Sequence, residues 1–267
     1  MNISRQWNTL KVEVTNHLAT ITINRPAKLN ALNIELLHEL KDLLLELKMD
    51  DTFLVRGLIV TGEGEKAFIA GADIAEMSDM TPSDAYTFGQ LGQQVTLLFE
   101  RLSIPVIACV NGFALGGGCE IAMSCDFIYS TTSAVFGQPE VKLGLIPGFG
   151  GTQRLAKLVG RNQAKEMIYT GRNVNAEEAK AMGLILRVFA TKDQMLEEAT
   201  KTLNAIMTNS SFAVSIAKKV MNEGIDLTTV EGLQLEKRQF SAIFTSEDMR
   251  EGTKAFIEKR APNFKGK

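Results

Sequence analysis

Three consecutive glycines stand just before a glutamate in the segment NGFALGGGCE, residues 111–120. Glycine lets a backbone approach a ligand closely, and the first N–H groups of a helix are free to bind negative charge. Gly117 and Glu120 are three positions apart, so on a helix the amide and the carboxylate share one face. Because residues 121–123 are apolar, we expect Glu120 to be buried, where a carboxylate needs a role. The alternative is a tight turn followed by a solvated glutamate.

A second glutamate lies in the segment FGQPEVKLGLIPGFGGTQRL, residues 136–155. Pro139 suits the first position of a short helix, which leaves Glu140 at the second position. We expect five apolar side chains to surround this carboxylate: Phe136, Val141, Leu143, Leu145 and Ile146. Two neighbouring carboxylates in a dry site differ in proton affinity, so that one acts as an acid and the other as a base. The alternative is that Glu140 only complements a helix dipole.

Other common catalytic motifs are missing from the sequence. The segment GFGGTQ, residues 148–153, has glutamine where a dinucleotide fingerprint has its third glycine, and no GxxxxGK[ST] phosphate loop occurs. His17 and His38 are the only histidines, and both are predicted to be solvated, which disfavours metal sites and nucleophilic triads. The three cysteines form no CxxC pair, so neither a zinc site nor a disulfide framework is indicated.

Strands and helices alternate along the part of the chain that would position these glutamates. Alternating apolar and polar residues predict a hairpin of strands 10–14 and 18–23, and a leucine stripe at helical spacing predicts a helix over 33–49. Further elements are predicted in chain order: a buried strand at 54–60, a polar, mobile segment at 76–95 leading into a helix, a strand at 104–110, a helix from about Gly117 and a strand at 126–130.

The pattern after residue 150 changes to helix after helix, with an apolar face along residues 193–207. Asp226 is the predicted N-cap of the next helix, and Thr245 with Asp248 is a weak capping box for the last one, which Pro262 ends. We therefore predict an α/β class protein with two regions, a layered core over residues 1–200 and a helical oligomerisation region over 201–267.

Bulk composition limits the partners of this 267-residue chain. Lys and Arg total 29 against 31 Asp and Glu, a net charge of −2 that attracts neither nucleic acid nor an anionic membrane. The most apolar stretch, residues 104–123, contains a proline, three consecutive glycines and a glutamate, and so predicts buried structure, not a membrane span. The N-terminal residues MNISRQWNTLKVEV resemble neither a signal nor a transit peptide, so the expected location is cytoplasmic.

The two glutamate segments resemble the enoyl-CoA hydratase/isomerase (crotonase) superfamily, and within it the short-chain enoyl-CoA hydratases, which carry both glutamates. RPAKLNAL at 25–32, KAFIAGADIAEM at 66–77 and EDMREGTKAFIEKRAPNF at 247–264 look like further landmarks of that family, so the resemblance covers essentially the whole chain. It implies a crotonase-like spiral of ββα units, followed by C-terminal helices that build a trimer. Trimers of this family pair into hexamers.

The resemblance also implies a reaction and a role for each catalytic residue. The reaction is the reversible syn addition of water to a 2-trans-enoyl-CoA, which gives a 3-hydroxyacyl-CoA in fatty acid or related acyl-CoA metabolism. By this resemblance the N–H groups of Ala72 and Gly117 form an oxyanion hole for the thioester oxygen. Glu120 acts chiefly as the base and Glu140 chiefly as the acid. No cofactor is implied, because coenzyme A is part of the substrate.

The coenzyme A contacts implied by the resemblance come from several loops and from a neighbouring subunit. Phe256 and Lys259 of that neighbour look like contacts to the nucleotide end. The other implied contacts are Lys28, Leu29, Ala31, Ala70, Asp73, Ile74, Gly116, Pro139 and Gly148. Two positions depart from the family pattern: Lys28 is shifted by one place from the lysine of some hydratases, and Phe149 stands where alanine is common. Phe149 is expected to narrow the acyl end of the pocket.

Three other functions compete with hydration at this stage. Isomerisation between Δ3 and Δ2 enoyl-CoA uses the same scaffold but needs only one carboxylate, so two glutamates favour hydration. RNA binding occurs in one branch of the family through a lysine-rich first helix, whereas IELLHELKDLLLELK balances acidic and basic residues. A non-catalytic scaffold protein would not need two buried glutamates.

Overall fold

Two sheets form the frame of the protein in the computed structural model, which describes residues 6–50 and 52–267. Residues 1–5 and residue 51 lie outside the described residues. Residues 1–5 begin the N-terminal stretch in which no targeting peptide is expected. The larger sheet has the order β1-β2-β3-β5-β7-β10: Leu10–Thr15, Leu18–Ile23, Gly57–Gly62, Val106–Val110, Phe127–Thr131 and Arg187–Phe189. The smaller sheet has the order β4-β6-β8-β9: Ala67–Ile69, Phe113–Leu115, Val135–Gly137 and Asn173–Asn175.

The chain crosses between the two sheets in a repeated pattern. The pairs β3 with β4, β5 with β6 and β7 with β8 each give one strand to the larger sheet and the next to the smaller sheet. All pairings among β2, β3, β5, β7 and β10, and among β4, β6 and β8, are parallel. A helical segment follows each pair, so the predicted spiral of ββα units is confirmed. The helices in chain order are α1 Ile34–Lys48, α2 Ile74–Met77, α3 Pro82–Glu100, α4 Gly117–Ser124, α5 Gly151–Val159, α6 Arg161–Thr170, α7 Ala176–Ala181, α8 Lys192–Met207, α9 Ser211–Gly224, α10 Thr229–Ile243 and α11 Glu247–Ile257.

The predicted hairpin and first helix are both confirmed, with recognisable local causes. Strands β1 and β2 pair antiparallel, and Asn16 and His17 between them have φ angles of 52° and 66°, the left-handed conformation that suits the twist of a two-residue hairpin turn. Asn33 caps α1 by accepting a hydrogen bond from Leu36 N. The leucine stripe of α1 is buried in the main core: Leu36, Leu37, Leu40, Leu43, Leu44 and Leu47.

Helices cover both faces of the larger sheet, which explains its apolar strands. Leu58 and Val60 of β3 belong to the main core together with α1, α3 and α4, whereas Ile59 between them packs with α8. This alternation follows from the two-residue period of a strand. Strand β3 begins at Gly57, three residues after its predicted start, and the predicted mobile segment is largely the ordered helix α3.

Several expectations for the C-terminal part are wrong. Strands β9 and β10 interrupt the expected run of helices. The predicted division after residue 200 falls within helix α8, whose buried residues pack on the sheet, and the division into two regions stays a prediction. The cap of α10 is Thr228, not Asp226, because Thr228 and Glu231 form a reciprocal capping box while Asp226 pairs with Lys157.

The cap of α11 also differs from the expectation. Ser246 accepts the hydrogen bond from Met249 N, so neither Thr245 nor Asp248 serves as the predicted capping box. Asp248 is buried, and its carboxylate accepts hydrogen bonds from Ser210 Oγ at 2.6 Å and from Lys265 N at 2.7 Å. A carboxylate used in this way ties the C-terminal segment to the start of α9. Within the described residues, no helix is long and apolar enough to cross a membrane.

Candidate active site

The carboxyl ends of three parallel strands of the smaller sheet bring the predicted catalytic segments together. Ala72 follows β4, Gly117 follows β6 and Glu140 follows β8. Parallel strands end on the same edge of a sheet, and this edge is where open α/β sheets commonly bind ligands. Each ββα unit therefore contributes one segment to a common cleft.

Glu120 is a buried carboxylate that receives hydrogen bonds from the backbone. Its side chain is 1% exposed, and Oε1 accepts from Phe149 N at 2.8 Å and from Gly151 N at 2.6 Å. Burial raises the pKa of Glu120, and the N–H groups of Gly151 and Phe149, followed by the charge of Arg154, oppose that rise. These donors stabilise the ionised form. The expectation of a buried Glu120 is confirmed, and the solvated alternative is wrong.

Side chains hold the carbonyls of Gly148 and Phe149 and so orient the next N–H groups, those of Phe149 and Gly150, both of which lower the pKa of Glu120. Gln93 Nε2 donates to the Gly148 carbonyl at 3.0 Å, and Thr96 Oγ1 donates to the Phe149 carbonyl at 3.1 Å. The C=O and N–H of a trans peptide point in opposite directions, so a bonded Gly148 carbonyl turns the next N–H, that of Phe149, toward Glu120. Arg154 also donates to the Phe149 carbonyl, at 2.9 Å. No motif in the sequence had pointed to Gln93, Thr96 or Arg154.

Glu140 has a different environment from Glu120. It is half-buried, and its Oε2 is buried without a hydrogen-bond partner in the described part of the chain. Burial, with a smaller contribution from the negative charge of Glu120, raises the pKa of Glu140 to about 7. A Cβ added at Gly116 would lie 3.0 Å from Glu140 Oε1, so this carboxylate lies directly over the glycine segment.

Two details predicted for the Glu140 segment are wrong. Pro139 is the N-cap of a 3₁₀ turn and Glu140 is its first residue, one position earlier than predicted. Phe136 is fully buried and Val141 is half-buried, but three of the five side chains expected to enclose Glu140 are exposed: Leu143, Leu145 and Ile146. The turn is only four residues long, so its apolar side chains extend outward and not over the carboxylate.

The Ala72 N–H points away from the neighbouring segment that contains Leu32. Leu32 and Ala72 form an isolated parallel bridge, in which Leu32 N donates to the Gly71 carbonyl at 2.8 Å and Asp73 N donates to the Leu32 carbonyl at 2.7 Å. Because the Gly71 carbonyl and the Ala72 N–H belong to one trans peptide, the bond to Leu32 directs the N–H to the opposite side. Within residues 6–50 and 52–267 this N–H donates no hydrogen bond.

The Gly117 N–H is oriented in the same way. The carbonyl of Gly116 accepts from Glu120 N and from Gln138 Nε2, both at 3.0 Å, so the Gly117 N–H points away from both donors. In the described structure this N–H is also without an acceptor. Gln138 is fully buried and lies within the segment 136–155 that carries Glu140, but the sequence alone assigned it no role.

The predicted coenzyme A contacts fall into two groups. Most lie beside the cleft: the loop 25–32 is bonded to the loop 70–73, Gly116 and Pro139 precede Gly117 and Glu140, and the Gly148 carbonyl is held by Gln93. Phe256 and Lys259 are at the far end of α11 with exposed side chains, and in the described chain no hydrogen bond joins them to the cleft. Their predicted contact was with a neighbouring subunit, so it stays a prediction.

Candidate metal ligands are not clustered in the part of the chain that the structure describes. Among the described residues, no group of three or more His, Cys, Asp or Glu side chains is arranged to hold a metal ion. Cys109, Cys119 and Cys125 form no disulfide. The cleft brings together two carboxylates, with different proton affinities, and two oriented N–H donors.

Comparison with known proteins agrees with this geometry. The profile of the family described as enoyl-CoA hydratase/isomerase matches residues 13–267. The chain is 45% identical over 258 residues to the crotonyl-CoA hydratase of Syntrophomonas wolfei, which covers 97% of this chain and 98% of that protein. It is 45% identical to the short-chain-enoyl-CoA hydratase of Clostridium acetobutylicum, over 96% of this chain and 97% of that protein. A crystal structure of enoyl-CoA hydratase from Bacillus anthracis superimposes with a TM-score of 0.92 at 39% identity, covering 97% of this chain and all of the other.

Proposed function

Because the chain belongs to the enoyl-CoA hydratase/isomerase family, we infer that it is an enoyl-CoA hydratase with the crotonase fold. This hydro-lyase adds water reversibly, with syn stereochemistry, to a 2-trans-enoyl-CoA and gives a 3-hydroxyacyl-CoA. The observation that supports this function best is the pair of carboxylates beside two unbonded N–H groups at one edge of the sheet.

We propose that the two glutamates divide the proton transfers. Glu120 receives N–H hydrogen bonds that favour its ionised form, so it takes a proton from the water whose oxygen bonds to the β-carbon. Glu140 has no such donors on Oε2 and a pKa of about 7, so it holds the proton that passes to the α-carbon. A proton then returns from Glu120 to Glu140 before the next turnover. The environments support the assignment that the family resemblance implied.

The Ala72 and Gly117 N–H groups are the proposed oxyanion hole. Attack of water on the β-carbon moves negative charge onto the thioester oxygen, and two fixed donors in a dry cleft stabilise that charge in the transition state. No side chain has to move to form these donors, because both carbonyls are already bonded elsewhere. We propose that the reaction needs no cofactor, since the addition of water is not a redox step and the carboxylates supply the proton transfers.

Loss of enoyl absorbance on crotonyl-CoA tests this proposal directly. Glu120→Gln and Glu140→Gln should each lower kcat by about 10²–10⁴-fold, with KM nearly unchanged, because a proton-transfer group acts mainly on the transition state. Glu13→Gln, an exposed change on β1 and far from the cleft edge, is the matched control. An inactive wild-type protein, or a variant of either cleft glutamate with full turnover, would contradict the assignment. Conversion of a 3-enoyl-CoA without hydration would favour the isomerase alternative.

We propose a preference for short acyl chains. The Phe149 ring is 4% exposed and packs against Phe88 with ring centroids 5.3 Å apart. It reaches so close to the active-site glycine that a Cβ on Gly117 would lie 3.1 Å from its ring. A large ring at this point shortens the space beyond the oxyanion hole. Assays from C4 to C16 enoyl-CoA should show the highest kcat/KM at C4, and an equal rate on C16 would contradict the preference.

The C-terminal helices support a proposed trimer, or a dimer of trimers. Neither α9 nor α10 has a fully buried side chain, although both are rich in apolar residues. The exposed apolar residues of the C-terminal region are Met221, Ile225, Leu227, Val230, Leu233, Phe240, Phe244, Phe256 and Ile257. A closed ring of subunits would cover such faces. Light scattering should give a mass of three or six subunits, whereas a fully active monomer would contradict the assembly and the contacts proposed for Phe256 and Lys259.

A cytoplasmic location is also proposed. The three cysteines are free, as is usual in a reducing compartment. One relative, from Dictyostelium discoideum, is named as mitochondrial, so the test is fractionation of the native cells with markers for each compartment. Recovery of the protein in any fraction other than the cytosol would contradict this location.

A further inference from the structure

We propose that Arg25 and Asp73 form a clamp that positions the Ala72 N–H for catalysis. Arg25 begins the loop 25–32, and Asp73 ends the loop 70–73 that carries Ala72. The proposal rests on the oxyanion role of Ala72 in the proposed hydratase function. It assigns Arg25 and Asp73 as positioning residues, which act on the reaction only through the backbone between them.

The two loops are joined by little backbone structure. Strand β4 ends at Ile69, and the bridge between Leu32 and Ala72 is a single residue long. Its two hydrogen bonds, together with the one from Ala70 N to the Leu29 carbonyl at 3.1 Å, are all that the backbone supplies between the loops. A regular strand is supported by its ladder on both sides, whereas a one-residue bridge has no such support. The direction of the Ala72 N–H therefore needs a further restraint.

The guanidinium of Arg25 supplies a bond to each loop. One nitrogen donates to the Ala31 carbonyl, next to the bridge residue Leu32, and another lies 3.1 Å from Asp73 Oδ2. Arg25 and Asp73 side chains are each 17% exposed, so water competes weakly for these bonds. A planar guanidinium fits this task because it presents several donors in a fixed arrangement, which a lysine does not.

The position of Asp73 at the start of α2 also supports the clamp. Asp73 is the N-cap of α2, where an aspartate usually accepts a hydrogen bond from the N–H two or three residues later. Its side chain makes no such cap bond and pairs with Arg25 instead. The Asp73 carboxylate thus binds the neighbouring loop 25–32. The same bond restrains the peptide that joins Ala72 to Asp73.

Loss of the clamp should weaken catalysis more than substrate binding. Complete loss of one oxyanion donor costs about 10²–10³-fold in rate. A donor that is present but loosely held should cost less, so we expect kcat to fall about 10–100-fold in Arg25→Met and in Asp73→Asn, with KM changed by less than about threefold. Because the pair acts as a unit, the double variant should be no worse than the poorer single variant.

The experiment compares these variants with Arg56→Met. Arg56 is a matched guanidinium clamp away from the cleft, with bonds to Ser211 Oγ at 2.7 Å and to the Met207 carbonyl at 2.8 Å. Its loss should lower the melting temperature and leave kcat unchanged. The second readout is the absorbance of a bound 2,4-dienoyl-CoA, which shifts to the red when N–H donors polarise the thioester carbonyl. Arg25→Met and Asp73→Asn should reduce that shift, and Arg56→Met should not.

Each outcome separates the clamp from the proposed function. Folded clamp variants with wild-type kcat, or with a reduced kcat and an unchanged red shift, would overturn the clamp alone. A wild-type protein that does not hydrate crotonyl-CoA would overturn the proposed function and the clamp with it. If Arg25→Met does not fold, Arg25→Lys provides the test, because it keeps the charge but cannot bond both loops, and full kcat and red shift in that variant would refute the proposal.

Discussion

Replacement of Glu140 by glutamine should remove most of the activity. It should also change how stability depends on pH, so that the variant gains stability relative to the wild type as the pH rises. In the folded protein, burial and the charge of Glu120 raise the pKa of Glu140 from an ordinary 4.5 to about 7. Between these two pH values the folded state binds more protons at Glu140 than the unfolded state does. The contribution of Glu140 to stability is therefore full below about pH 4.5 and is lost as the pH rises through about 7.

The size of this loss follows from the pKa. A rise from 4.5 to about 7 corresponds to about 3 kcal/mol, because each tenfold change in proton affinity is worth about 1.4 kcal/mol. Glu140 is only half-buried and solvent screens its charge, so we expect about 1–2 kcal/mol. Glutamine does not titrate, so the free energy of unfolding of Glu140→Gln minus that of the wild type should increase by this amount between pH 4.5 and 7.5.

Urea unfolding followed by circular dichroism, at equal protein concentration and several pH values, measures this difference. Only the pH dependence is diagnostic, because a buried amide has a cost of its own that does not change with pH. Glu13→Gln on exposed β1 provides the control and should show no comparable trend. A difference that stays flat from pH 4.5 to 7.5 would refute the assignment of a raised pKa to Glu140. In the wild type, kcat/KM for hydration should also fall as the pH rises above about 7, since the acid loses its proton.

Three other changes test separate parts of the cleft. Gly117→Val should lower kcat at least about 10²-fold in a folded protein, because a Cβ there would lie 2.8 Å from Leu32 Cδ1 and disturb an oxyanion donor, whereas Gly89→Ala, with open space around it, should be neutral. Thr96→Val removes a hydrogen bond to the Phe149 carbonyl, whose peptide carries the Gly150 N–H that helps to lower the pKa of Glu120, so kcat should fall up to about tenfold and the low-pH limb of kcat/KM should shift to higher pH; an unchanged pH profile would contradict this role. Phe149→Ala should raise the C8-to-C4 ratio of kcat/KM at least about tenfold, and an unaltered ratio would show that the ring does not limit chain length.

Local patterns predicted the elements that carry the site better than they predicted the contacts within it. The apolar residues after Glu120 correctly indicated its burial, and the leucine stripe correctly indicated α1, because both signals lie within a few residues of the feature. The polar residues of 76–95 concealed α3, whose Thr81 and Asp84 form a reciprocal capping box. Leu143 and Ile146 were expected near Glu140 by proximity in sequence, but the short turn directs them outward.

The partners that orient the backbone could not be predicted from spacing. Gln93 is 55 positions from Gly148, and Arg25 is 48 positions from Asp73, so only the tertiary fold brings them together. No local periodicity relates the members of either pair, and the two separate landmarks that contain Arg25 and Asp73 do not show that these residues meet. The identity of the two glutamates was therefore within reach of the sequence, while the groups that set their proton affinity and aim the N–H donors were not.

The oriented peptides of Ala72 and Gly117 have a consequence for mutational scanning. No side-chain substitution deletes a main-chain N–H, apart from proline, so an alanine scan cannot remove either proposed donor directly. Apart from the clash that an added Cβ causes at Gly117, it can reach them only through side chains that bond the preceding carbonyl or hold the neighbouring loop, such as Gln138 and Arg25. In such a scan, sensitivity would be recorded at residues that never touch the substrate, while Ala72 itself would be scored as wild type. A map of functional positions drawn from side-chain truncation would thus mark the residues that orient the N–H donors, and not the donors that bind the thioester oxygen.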